Sequence, residues 1–157
     1  MTSDIRRALR EFQDYTDDIQ KSGFLTFGDA LTRLLNVLEL TTPLGFLVGR
    51  ALPPTDFDEW HRVAMAEPGG MGGQRELRWP SESADRLALQ LELVRRVSDG
   101  RLELFEFSHT FLTTETRYDD MVRAFSSHVV RPFARDLIRL LHTQPELEES
   151  AEVPAPS

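Results

Sequence analysis

Residues 117–143 read RYDDMVRAFSSHVVRPFARDLIRLLHT, and the periodicity of this stretch decides the fold class. Tyr118, Met121, Val122, Phe125, Val129, Phe133 and Leu140 recur at helical spacing and predict one apolar seam. His128, Arg131, Arg135, Arg139 and His142 run beside it. Their separations of three or four residues put all five side chains on one edge of the same helix. Pro132 falls inside the pattern. Its ring removes one backbone hydrogen bond, so a kinked helix over Arg117–Thr143 is expected.

Upstream, the same chemistry repeats. Ile5, Leu9, Phe12, Tyr15 and Ile19 predict a helix over Asp4–Lys21 with Ser3 as its N-cap. Thr26–Asp29 has the spacing of a capping box and leads into Phe27, Leu31, Leu34 and Leu38. Thr42-Pro43 is a cap followed by proline at the first helical position, opening a short helix through Leu52. Thr55–Asp58 repeats the capping pattern ahead of Trp60 and Ala64. From Glu82 to Ser98, Ala84, Leu87, Leu91 and Val94 form one stripe and Leu89, Leu93 and Val97 a second. A helix apolar on two sides sits between neighbours, so this one is expected at the centre of the bundle. Arg101–Leu112 fits strand alternation and helical spacing alike; with no second strand to pair with, it reads as a helix. The expected fold is a single all-α domain of six or seven helices over residues 1–143.

Two stretches break this pattern. Glu67–Pro80 contains PGGMGG, which is costly to order and reads as a flexible loop anchored by Trp79-Pro80. The tail over 144–157 is acidic and rich in Pro and Ala, and is expected to be disordered. Without its four glutamates (Glu146, Glu148, Glu149 and Glu152), the net charge of −8 becomes −4 for the body. An acidic body argues against general binding of a nucleic-acid backbone, which needs a broadly basic surface. Lys21 is the only lysine beside seventeen arginines, a composition that fits GC-rich bacterial coding. There is no cysteine, which excludes disulfides, thiolate metal sites and cysteine nucleophiles. No apolar run approaches membrane-spanning length and the N-terminus lacks a signal-peptide core, so a cytoplasmic protein is expected.

Charge is unevenly placed within this acidic chain. The basic edge of the last helix suits planar recognition of carboxylate or phosphate. Internal pairing with Asp14, Asp17 and Asp18 of the first helix would be the alternative use of these arginines. That first helix has Arg6, Arg7 and Arg10 early and Asp14, Asp17 and Asp18 late, an order that opposes its macrodipole. Antiparallel pairing with a second copy would set each basic end against an acidic one.

Arg135 and His142, with six residues between them, are the candidate catalytic pair. Their spacing resembles the Arg-x(4–6)-His motif of HEPN-type ribonucleases, compact helical domains of toxin and defence systems. That resemblance implies His142 near the scissile phosphate and Arg135 stabilising charge, usually across a dimer. Asp58-Glu59-Trp60-His61 and Glu106-Phe107-Ser108-His109 each place a carboxylate three residues before a histidine, a spacing similar to that of di-iron carboxylate bundles. Asp58 is better explained by helix capping, Glu106 falls on a polar face, and no further inward glutamates complete a site. Ser126, Ser127 and His128 point in different directions on a helix, and no nucleophile elbow occurs. The sequence therefore predicts an interaction module without metal or cofactor, whose partner is a protein or a second copy. Its candidate contact residues are Arg6, Arg7, Arg10, Asp14, Asp17, Asp18, His128, Arg131, Arg135 and Arg139. A ribonuclease is the alternative, and nucleic-acid binding is a third reading.

Overall fold

The apolar positions of the first helix follow a three–four repeat; Ile5, Leu9, Phe12 and Ile19 are inside the protein, and Tyr15 is only part-buried. In the computed structural model, which describes residues 2–66 and 75–147, α1 spans Thr2–Lys21 and buries Ile5, Leu9, Phe12, Thr16 and Ile19. It opens at Thr2, so Ser3 lies in its first turn rather than at the cap. α2 (Phe24–Val37) packs along α1, and α3 (Pro43–Ala51) packs against α1 and α8. α4 (Phe57–Ala66), α5 (Ser83–Ser98), α6 (Leu104–Phe111), α7 (Tyr118–Phe125) and α8 (Arg131–Leu141) follow, with a π-helical turn over Ser126–Val130 joining the last two. The described residues are all-helical, with no strand among them.

Four helix starts have a chemical cause. Thr42 caps α3, its Oγ1 accepting the Gly45 N–H at 2.9 Å, with Pro43 in the first turn. α4 is capped one residue later than expected: Asp56 Oδ1 accepts the Glu59 N–H at 3.1 Å. Glu103 caps α6 through the Glu106 N–H at 2.6 Å, which settles Arg101–Leu112 as helical from Leu104 onward. α2 begins at Phe24, ahead of the expected Thr26. Thr26 Oγ1 reaches back to the Gly23 N–H at 3.2 Å, and the Phe24 N–H is taken at 2.8 Å by Asp119 Oδ1 from the first turn of α7.

Two glycines meet specific needs. Gly100 follows the end of α5 at φ +81°, where a Cβ is unfavourable. A Cβ on Gly45 would stand 1.8 Å from the Glu39 carbonyl oxygen, so only glycine lets α3 approach the turn after α2 this closely.

The core is knit by edge-to-face phenylalanines. Phe12 meets Phe133 at 6.4 Å between centroids, and Phe27 and Phe107 meet Phe125 at 5.9 and 6.1 Å. Phe12, Phe125 and Phe133 are fully buried, each adding roughly 1.5–3 kcal/mol relative to exposure. α5 buries Leu87, Ala88, Leu89, Leu91, Leu93 and Val94 on more than one side, against α2, α4, α8 and the π turn.

The break expected at Pro132 takes the form of the π turn just before it. The Arg131 N–H bonds the Ser126 carbonyl five residues back. This wider turn makes room for a proline ring that would otherwise press on the carbonyl four residues earlier. One extra residue per turn also shifts the seam. Met121, Val122 and Phe125 are buried before it, Val129 and Val130 within it, and Phe133, Ala134, Leu137 and Leu141 after it. Leu140, expected in the seam, is only part-buried, and Tyr118 is 56% exposed.

The ordered chain continues beyond Thr143, where the body was expected to end. Leu147 is buried in the core, and the Glu146 carboxylate meets the Arg50 guanidinium of α3. Residues 148–157 of the expected tail and 67–74 of the expected loop lie outside the described residues. From Arg75 on, that loop is tied down. The Arg75 N–H bonds the Thr110 carbonyl at 2.8 Å, Trp60 Nε1 donates to the Arg78 carbonyl at 2.9 Å, and Trp79 stacks on Trp60 at 4.8 Å.

Candidate functional site

α8 is strongly two-faced, because its apolar residues follow the shifted seam while its basic residues occupy the opposite side. At about 100° per residue, Arg131, Arg135 and Arg139 point roughly away from Phe133, Leu137 and Leu141. All five basic positions of the ladder, His128, Arg131, Arg135, Arg139 and His142, are exposed. The ladder thus lies across the helix from the core rather than alongside the seam.

Its counter-charge is sparse and local. Asp136 Oδ1 lies 3.1 Å from Arg135 and 3.8 Å from Arg139, and its Oδ2 lies 3.8 Å from Arg86 of α5. Arg131 makes no ion pair among the described residues. The internal partners considered from sequence, Asp14, Asp17 and Asp18, do not meet the ladder; all three are exposed on α1 and unpaired among the described residues. Arg135 and His142 lie on the same exposed face, with Arg135 turned to Asp136 and His142 at the C-cap of α8. His128 also borders a shallow cleft of about 520 Å³ with Trp79 and Leu112.

On α1, Arg7 pairs with Asp4 at 2.7 Å across one turn, both well exposed. Arg10 is exposed and unpaired among the described residues, and Arg6 is half-buried. Asp4 occupies the first turn and Lys21 the last, which suits the macrodipole. Arg6, Arg7 and Arg10 stand beyond that first turn, so the opposition read from sequence has little force for them. The division of charge along the helix remains.

The two carboxylate-x-x-histidine segments do not build a metal centre. Asp58 is held by Arg96 of α5 at 2.5 Å, which keeps its carboxyl below the usual carboxylate range. Arg96 also bonds Glu92 at 3.0 Å and lies 4.4 Å over the Phe57 ring. His61 stacks on Phe57 at 5.7 Å and tilts against Phe111 at 6.5 Å. Burial pushes its imidazole below the ordinary histidine range, Arg96 adds to this, and Asp58 and Glu106 oppose it. His61 and Glu106 line one cleft of about 280 Å³, whereas His109 is exposed. No group of three potential ligands gathers around a common point among the described residues.

Two apolar surfaces escaped the sequence reading. Phe24, Phe105 and Tyr118 form an aromatic trio with centroids 4.7–5.5 Å apart where α2, α6 and α7 begin, and Leu25 beside it is 89% exposed. On α3, Phe46 is 63% exposed beside exposed Leu40, over a cleft of about 320 Å³ that reaches Ile5 and Arg50. Phe46 could have been found, because it falls off the Leu44–Leu47–Val48 seam. The trio could not, since it joins residues distant in sequence.

A search of family models returns no match, and no solved structure matches. The chain is similar to YuaY, an uncharacterized protein of Escherichia coli K12, with 34% identity over 106 residues. That alignment covers 68% of this chain and 34% of YuaY, so the chain spans about a third of that relative's length.

Proposed function

We propose that this chain is a non-catalytic protein–protein interaction module of the bacterial cytoplasm, a compact bundle built round α5. The arginine ladder of α8 holds an acidic protein partner. One observation carries this reading: of three solvent-facing arginines, Arg135 and Arg139 share a single carboxylate, Asp136, with Arg86 of α5, and Arg131 makes no ion pair among the described residues. Guanidinium groups placed this way have donors to spare for carboxylates of another surface. The likeness to a third of YuaY supports a modular unit, since the matching segment stands there within a longer chain.

The test is binding of a labelled oligoglutamate peptide, with a single-stranded RNA of equal charge as the competitor. The expected result is salt-sensitive peptide binding that is lost in the variant Arg131→Glu/Arg135→Glu/Arg139→Glu while helicity is retained. Preference for the RNA would overturn the reading and favour nucleic-acid binding. The ribonuclease alternative is favoured by the shared exposed face of Arg135 and His142. It requires RNA cleavage by the unaltered protein that disappears in His142→Ala.

A further inference from the structure

The outer stripe of α1 carries a charge order that selects one way of pairing. We propose that α1 is the contact surface for a second copy of this chain, docked antiparallel about a two-fold axis level with Phe12. α1 is continuous over 20 residues, a rod of about 30 Å. Its inward face is filled by Ile5, Leu9, Phe12, Thr16 and Ile19, which leaves Arg7, Arg10, Asp14, Asp17, Asp18 and Lys21 facing out.

In this register Arg10 lies level with Asp14 of the second copy. Arg6 and Arg7 lie level with Asp17 and Asp18 of the second copy, and symmetry repeats each pairing. Glu11 comes level with the neutral Gln13, and Lys21 with Ser3. Neighbouring registers are penalised. A slide of one turn one way sets Asp14 against Asp14 and Arg7 against Lys21; one turn the other way sets Arg10 against Arg10. A parallel pairing would set like against like throughout. Charge therefore selects orientation and register together, as isologous contact requires.

Arg10, Asp14, Asp17 and Asp18 make no ion pair within the described residues, so pairing would break no internal bond of theirs. Arg7 would have to leave or share the exposed Asp4. A single helix pair falls short of the ~1,200 Å² typical of stable interfaces, so the dimer should be weak and strongly screened by salt. The pairing leaves the α8 ladder untouched, so its failure would leave the oligoglutamate result standing.

The experiment uses sedimentation equilibrium at about 0.05 M and about 0.5 M salt. The unaltered protein should dimerise at low salt and dissociate at high salt. Two full-length variants are prepared, Arg7→Glu/Arg10→Glu and Asp14→Arg/Asp17→Arg, with circular dichroism to verify folding. Each alone should weaken self-association by about tenfold or more. Mixed together they should form a heterodimer at least as tight as the original pair. A protein that stays monomeric at low salt overturns the proposal. So do variants that dimerise normally, or a mixture that does not associate.

Discussion

Removing the Asp119 carboxylate should weaken a helix at the other end of the chain. Its Oδ1 accepts the Phe24 N–H at 2.8 Å, a hydrogen bond between residues 95 positions apart. Loss of a capping acceptor costs about 1 kcal/mol, up to about 2. A carboxylate near a helix N-terminus contributes roughly 0.3–1 kcal/mol beyond that, and Asp119 stands in the first turn of α7 as well as at the start of α2. Asp119→Ala removes both effects, so a loss of about 1.3–3 kcal/mol is expected. Asp119→Asn keeps the acceptor and loses the charge, so its loss is roughly 0.3–1 kcal/mol. The assay is urea unfolding followed by circular dichroism, with m unchanged. On heating, the Ala variant should melt about 3–12 °C lower. Equal losses in Ala and Asn would refute the capping argument, and so would an Ala variant as stable as the parent. Hydrogen exchange then locates the effect: protection should fall first at Phe24 and the turn that follows it.

Two further outcomes follow from the core and from the half-buried His61 imidazole. Phe133→Ala empties a fully buried site against Phe12 and should cost about 3–5 kcal/mol by denaturant unfolding; a loss below about 1 kcal/mol would mean the site collapses freely. Burial first, and Arg96 second, lower the His61 pKa in the folded protein, so the unfolded chain takes up its proton more readily. This contribution to stability is present above the unfolded value of about 6.5 and is lost as pH falls through the folded value. His61→Phe should flatten the fall in melting temperature between about pH 7.5 and about pH 5.5, and an unchanged slope would show that His61 does not set it.

Local chemistry was legible in the sequence; chemistry shared between distant segments was not. Thr42, Pro43 and Gly45 sit within one turn, so the α3 cap could be read directly. The α2 start was misplaced because its acceptor, Asp119, belongs to another helix. Asp58 was read as part of a cap, whereas Asp56 caps α4 and Asp58 pairs across to Arg96. Pro132 announced an interruption, but nothing in the spacing announced the extra residue of a π turn. Leu140 was therefore assigned to the seam in place of Leu137 and Leu141. The grouping of the five ladder residues on one face was read from spacing alone. Their position opposite the core follows the shifted seam, and the isolation of Arg131 from counter-charge emerged from the packed arrangement.

The Phe24–Asp119 bond also has a place in time. A ribosome adding roughly 5–20 residues per second needs about 5–20 s to travel from one partner to the other. Throughout that interval the nascent α1–α2 pair exists with the first amide of α2 bonded only to water, and must rely on the contacts those two helices make with each other. Emergence of Asp119 then closes the early segment against the late one, so the start of α2 is completed only once α7 begins to be made.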